Sequence, residues 1–206
     1  MLNGQNYFVS LADFCPGIKV QADYSTTKNF TGEIVPGYKA QKALIAIEPA
    51  QALLKIQRKA NELGFSLKVF DGYRPAKAVK FFQDWALRPE DNPHLKKLFY
   101  PGFSRMELFE KGFIAINSSH SRGSAVDLTL FSLSSSLDVD MGSAFDFYDE
   151  ISHTHSSNVS VDQKANRLLL KQLMESHGFV NFSQEWWHFS FRPEPFPNQA
   201  FDFDIE

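Results

Sequence analysis

From Ala125 to Phe131 the chain alternates: Val126, Leu128 and Leu130 point to one side, Asp127 and Thr129 to the other. A period of two with one aliphatic face predicts a strand buried on one side only. Such a strand needs a second layer to cover its apolar face, and that need rules out a lone helical bundle. The segment before it, Ser118-Ser119-His120-Ser121-Arg122-Gly123-Ser124, is polar and carries a glycine, which lets the chain fold back closely. The imidazole of His120 and the carboxylate of Asp127 can then converge.

The covering layer is also legible. Residues 49 to 63 open on Pro49, carry Leu53, Leu54, Ile56 and Leu63, and stop at Gly64, which predicts a helix. Residues 163 to 177 place Leu168, Leu169, Leu173 and Met174 near helical spacing before Gly178. A third helix is expected after Pro75, through Val79, Phe81, Phe82 and Trp85. Strand patterns follow the helices: Ser66 to Phe70, Ala125 to Phe131, and the aromatic run Phe179 to Phe191. Without a regular βαβ repeat, the pattern predicts an α+β fold with a central, mostly antiparallel sheet and flanking helices. No internal repeat or linker divides the chain, and 206 residues suit one domain, 1–206.

Composition excludes several function classes. A net charge of −3 with 22% charged residues offers no basic field for nucleic acid or an anionic membrane. No run approaches 18 apolar residues, so no membrane span is expected. The N-terminal residues lack a cationic region followed by an apolar run, which reads as cytoplasmic, or as periplasmic where a leader has been removed. Cys15 is the single cysteine, so no intrachain disulfide can form. In its turn-like setting beside Pro16 it reads as a small, partly buried side chain rather than a nucleophile.

Three clusters carry chemistry. His120 and Asp127 are both ordinary zinc donors. In Gln184-Glu185-Trp186-Trp187-His188-Phe189, a Glu and a His stand three apart in an apolar aromatic setting. A carboxylate buried there without a partner would cost several kcal/mol, so it needs a partner or a task. A regular strand would put Glu185 and His188 on opposite faces, so if both serve one site the backbone must bend near Glu185, or Glu185 must sit before the strand proper. Lastly, Phe70-Asp71-Gly72-Tyr73-Arg74-Pro75 places an arginine between a predicted strand and helix. Arg74 there can stabilise an oxyanion, although composition alone would pair it with a surface carboxylate. Each cluster taken singly is weak.

Together, Asp-Gly-Tyr-Arg-Pro, Ser-x-His-x-x-Gly-x-Ala-x-Asp-Leu and Glu-x-Trp-His, in this order, resemble the zinc D,D-peptidases, and within them the D-alanyl-D-alanine dipeptidases of the VanX type. Tyr24-Ser25-Thr26-Thr27-Lys28-Asn29-Phe30-Thr31-Gly32 and Met141-Gly142-Ser143-Ala144-Phe145-Asp146 extend the match over roughly residues 5 to 200. The resemblance implies one Zn2+ per chain at the sheet, held by His120, Asp127 and His188. It implies Glu185 as general base on a zinc-bound water and Arg74 as stabiliser of the oxyanion. Ser118, Asp146 and Tyr24 would hold the ends of a small D,D-dipeptide, D-Ala-D-Ala. The rival activities are a D,D-carboxypeptidase acting on longer peptidoglycan stems and a non-catalytic zinc-binding module of the same fold. His153 and His155 lie in a polar loop and are set aside as ligands, Arg122 is expected to anchor its loop, and Trp186 and Trp187 to divide between core and site wall.

Overall fold

The computed structural model describes residues 4–206; the first three residues of the predicted domain lie outside the described residues. In chain order the elements are β1 (Phe8–Ser10), α1 (Leu11–Phe14), β2 (Lys19–Val20), β3 (Leu44–Ala46), α2 (Ile47–Glu62), β4 (Phe65–Asp71), α3 (Ala76–Ala86), α4 (Pro93–Phe99), α5 (Arg105–Glu110), β5 (Ala125–Ser132), α6 (Val161–Glu175), β6 (Phe179–Asn181) and β7 (His188–Phe191). The five-stranded sheet runs β2-β4-β5-β7-β6, with only β2 and β4 parallel. β1 and β3 form a separate antiparallel pair. The fold is α+β with a mostly antiparallel sheet, as the strand patterns imply.

On the central pair, Leu67 faces Leu130 and Val69 faces Leu128 across the ladder, so one sheet face is aliphatic. Leu67, Val69, Val126, Leu128 and Leu130 are all fully buried. At about 1.5–3 kcal/mol for each such side chain, their burial outweighs the several kcal/mol of carrying Asp127 inward on the opposite face of the same strand. They belong to the same hydrophobic core as Leu53 and Ile56 of α2 and Leu170 and Leu173 of α6. α2 packs on β4, and α6 on both β6 and α2.

The helices differ from the sequence expectation in detail. α2 starts at Ile47, so Pro49 sits in its third position, not its first. α6 starts at Val161 under a capping box made by Ser160 and Gln163. Its buried stripe is Arg167, Leu170, Leu173 and Met174, whereas Leu168 is exposed. α4 and α5 have no counterpart in the expected elements, although Ser104 and Glu107 form a second capping box at the start of α5. No helix among the described residues is long and apolar enough to cross a membrane.

The largest correction concerns Phe179–Phe191. Its length suggests one strand, but it is a hairpin of β6 and β7, with Phe179 opposite Phe191 and Asn181 opposite Phe189. The turn is tied by Glu185 N–H to the Phe182 carbonyl (3.0 Å) and His188 N–H to the Glu185 carbonyl (3.2 Å). Asn181 Nδ2 donates to the carbonyls of both Glu185 (3.1 Å) and His188 (3.0 Å). A side-chain amide thus does the work that a glycine or proline usually signals.

β4 ends against β3 at Gly72. The Tyr73 N–H donates to the Leu44 carbonyl at 2.5 Å, and a Cβ on Gly72 would lie 2.3 Å from that same oxygen. Backbone atoms on both sides leave no flexible neighbour to yield. Gly72→Ala is therefore expected to cost about 1–3 kcal/mol through overpacking. A thermal melt followed by circular dichroism checks this, and an unchanged midpoint would show that the contact relaxes freely.

Candidate metal and substrate site

The site is a row across three neighbouring strands. In the β4–β5 register Asp71 stands opposite Asp127, brought there by an irregularity between Val69 and Asp71. In the β5–β7 register Asp127 stands opposite His188. Directly opposed residues hold their side chains within contact reach. His120 enters from the polar loop before β5, in a short 3₁₀ turn (His120–Arg122) closed by Gly123 at φ +67°. That left-handed residue folds the loop back as its sequence suggests.

The His120 ring has a fixed tautomer. Its Nδ1 lies 2.6 Å from the Gly72 carbonyl, which can only accept, so Nδ1 carries the proton. In the neutral ring the Nε2 lone pair then points at Asp127 Oδ2, 3.3 Å away, and at His188 Nδ1, 3.2 Å away. His188 Nδ1 in turn lies 2.9 Å from Asp127 Oδ1. A lone pair aimed at a carboxylate is repulsive unless a cation or an added proton lies between them. The three donor atoms all fall within 4.8 Å of one another. Ligands of a tetrahedral zinc with bonds of about 2.0–2.1 Å stand roughly 3.3 Å apart. The donor set fits zinc in type, number and spacing.

Around this set lies a cavity of about 230 Å³ lined by Arg74, Ser118, His120, Asp127, Asp146, Tyr148, Glu185, Trp187 and His188, among others. It is smaller than the roughly 300–1,000 Å³ of most small-molecule pockets, which suits a very small ligand. A larger cavity of about 600 Å³ lies on the other side of Asp146. It has no histidine in its lining, so the chemistry belongs to the smaller one.

Three of the pocket's carboxylates, Asp127, Asp146 and Glu185, are 8% exposed or less, and Asp71 lies buried just behind. Arg74 is the single arginine or lysine among the lining residues. Contrary to the composition-based reading, its partners are buried: Nε and Nη2 both lie 2.9 Å from Asp71 Oδ2, and Nη2 lies 3.4 Å from Asp127 Oδ2. Burial opposes ionisation of Asp127, yet His120 and His188 hold its carboxyl well below the usual range. Burial pushes Glu185 well upward, reinforced by the Asp127 and Asp146 charges. Asp146 is pushed up to about 8, by burial first and then by Asp127, against hydrogen bonds from two tyrosines.

Glu185 sits in the turn before β7, which is the bend that its spacing from His188 demands. Asp146 adopts a left-handed backbone (φ +58°) and accepts hydrogen bonds from Tyr24 Oη (2.8 Å) and Tyr148 Oη (3.0 Å). Tyr24 reaches the site through Asp146 and does not itself line the cavity. Ser118 Oγ accepts the His120 N–H at 3.2 Å, which leaves its proton free for a ligand. Sequence reasoning missed Asp71, Tyr148 and Asn181, all of which act on the predicted residues. Asp71 was within reach, since it stands three residues before Arg74 in the quoted motif.

The remaining expectations divide. Arg122 anchors its loop through Glu194, with Nε–Oε2 at 2.5 Å. Trp187 lines the cavity, while Trp186 is buried and donates to Ser143 Oγ at 2.9 Å. Cys15 is fully rather than partly buried, and burial lifts its thiol to about 11. Among the described residues, His153 and His155 join no metal-competent group.

Comparison with known proteins identifies the family. The Peptidase_M15 family model, D-ala-D-ala dipeptidase, matches residues 4–206. A D-alanyl-D-alanine dipeptidase of Enterococcus faecium is 44% identical over 199 residues, covering 97% of this chain and 98% of that protein. One of Streptomyces coelicolor is 40% identical, covering 96% and 98%, and one of Escherichia coli is 32% identical, covering 88% and 82%. A solved zinc-bound D,D-pentapeptidase VanY mutant is 16% identical with a TM-score of 0.43 over 72% of this chain and 73% of that one, too remote for residue correspondence. By its whole-length match to the family model and to these relatives, the chain belongs to the D-Ala-D-Ala dipeptidase family of M15 peptidases.

Proposed function

We propose that the chain, acting as one domain, is a zinc-dependent dipeptidase that hydrolyses D-Ala-D-Ala to two D-alanines. The observation that carries this is the convergence of His120, Asp127 and His188 in one small cavity with Glu185 and Arg74. The substrate comes from the relatives, whose names state that dipeptidase activity.

His120, Asp127 and His188 would hold the ion. Zinc bound there supplies Lewis acidity toward a carbonyl oxygen and toward water, whose pKa it lowers to about 7. Glu185 takes the proton of the attacking water and passes it to the leaving amine. Burial beside two carboxylates raises its proton affinity, and the Arg74 charge opposes that rise and favours the ionised form that a base requires. Arg74, fixed by Asp71, donates to the oxyanion that forms as the carbonyl becomes tetrahedral. Asp146 pairs with the substrate ammonium and Ser118 donates to its terminal carboxylate. A dipeptide carries one free ammonium and one carboxylate for these two groups, and the small cavity leaves little room for a longer stem.

The direct test is a panel of D-Ala-D-Ala and a stem pentapeptide ending in it, each with and without chelator, with zinc content measured alongside. Hydrolysis of the dipeptide alone, lost on chelation, is expected. Preferred cleavage of the pentapeptide would transfer the chain to the carboxypeptidase reading, and no cleavage of either to that of a binding module.

Glu185→Ala is expected to lower kcat by about 10²–10⁴ while zinc stays at one per chain. A turnover-competent Glu185→Ala protein would remove Glu185 from the base role.

Asp146 yields a pH prediction. In the fold its carboxyl holds a proton up to about pH 8, against 3.8 as the ordinary value. Between those limits the native state binds the extra proton, so its stability falls as pH rises through the window. Asp146→Asn lacks this loss. Without metal, its thermal midpoint should exceed that of the parent by a margin that widens from pH 5 to pH 8, while its KM for the dipeptide rises. A margin independent of pH would assign the titration to another group.

A further inference from the structure

The segment from Met141 to His153 brings Asp146 and Tyr148 to the cavity, yet its only regular structure is the 3₁₀ turn Glu150–Ser152. Asp146 takes a left-handed backbone, which a non-glycine residue keeps only when its surroundings enforce it. What enforces it comes largely from outside the segment. Arg167, on α6 and 1% exposed, donates from Nε to the Met141 carbonyl (2.6 Å) and from Nη1 to the carbonyls of Ile151 (2.8 Å) and His153 (2.7 Å). One guanidinium therefore closes the segment at both ends, five residues before Asp146 and five and seven residues after it. All three bonds go to main chain; among the described residues no carboxylate accepts from this buried cation, and its Nη2 has no partner. The burial of its charge is therefore offset by holding backbone, a task its rigid fork suits better than a lysine would.

Inside the clamp, Ser152 Oγ donates to the Phe147 carbonyl (2.5 Å) and meets Ser143 Oγ at 2.8 Å. Trp186 then ties the segment to the Glu185 turn, through Nε1 to Ser143 Oγ (2.9 Å) and its N–H to the Ser152 carbonyl (3.0 Å).

We propose that Arg167 is a positioning residue for the amino-terminal subsite: by clamping residues 141–153 it holds Asp146 where the dipeptide's ammonium docks. This rests on the reading of Asp146 as the ammonium's partner. Because that ion pair is made equally in the bound substrate and in the transition state, loss of the clamp acts on KM and not on kcat.

The test is a double-mutant cycle on the full-length, zinc-loaded protein with D-Ala-D-Ala. Arg167→Met is expected to raise KM about tenfold with kcat within about twofold and zinc content unchanged, and Arg167→Lys to fall between it and the parent. Adding Arg167→Met to Asp146→Asn should raise KM no further, since both act through one contact. Should Arg167→Met fail to fold, Arg167→Lys carries the same cycle. A parental KM in both Arg167 variants, KM factors that multiply in the double mutant, or a fall in kcat alone would overturn the proposal. If Asp146→Asn itself leaves KM unchanged, the ammonium reading fails and the proposal with it. If Asp146→Asn raises KM but the Arg167 variants do not, the proposal alone fails.

Discussion

Four carboxylates, Asp71, Asp127, Asp146 and Glu185, are gathered in a buried region that holds one arginine. At low effective dielectric, like charges a few ångströms apart repel by several kcal/mol each, so this arrangement survives only by answering the charge. The answers divide by position. Asp71 spends its charge on Arg74 and on Tyr38, whose Oη donates at 2.8 Å. Asp127 faces two imidazoles. Asp146 and Glu185 are pushed toward their protonated forms. Were all four ionised against Arg74 alone, three negative charges would remain, so the protonation of Asp146 and Glu185 and a cation beside His120 are alternative ways of answering the same excess.

That economy also orders the fold around the site. The aliphatic face of β4 and β5 is conventional core, and its burial is large enough to carry the opposite, charged face with it. Asn181 and Arg167 each hold main chain close to a site residue, in place of the regular hydrogen bonds that the irregular segments lack, and the Gly72 carbonyl fixes the His120 ring. Polar groups spent on backbone in this way fix positions to a fraction of an ångström, which a cation shared by three donors requires.

Much of this was legible in the sequence, and the exceptions have physical reasons. Asp127 stood out because it interrupts an aliphatic alternation, and Glu185 and His188 because charge in an aromatic run is costly. Gly64 and Gly178 marked helix ends because they follow helical spacing. The hairpin at Phe179–Phe191 was hidden because residues 182–187 contain neither glycine nor proline; the turn is stabilised by Asn181, a residue outside it. Asp71 stands three residues before Arg74, so that pairing was within reach, but its place opposite Asp127 depends on a register irregularity across a non-local strand pair, which no local pattern encodes. Tyr148 and Arg167 act through residues scattered over an irregular segment. Arg167 even occupies a stripe position where helical spacing calls for an apolar side chain.

The row Asp71–Asp127–His188 joins residues that are far apart along the chain and adjacent only across completed strand pairs. His120 and Asp127 are close along the chain, but His188 joins them only across the β5–β7 pair, so a partly folded chain offers a cation an incomplete donor set. Ion binding at these donors would therefore depend on β5 and β7 being in register. An ion held there would lower the population of open states in proportion to how tightly the closed one holds it, so its removal would loosen the fold as well as the site.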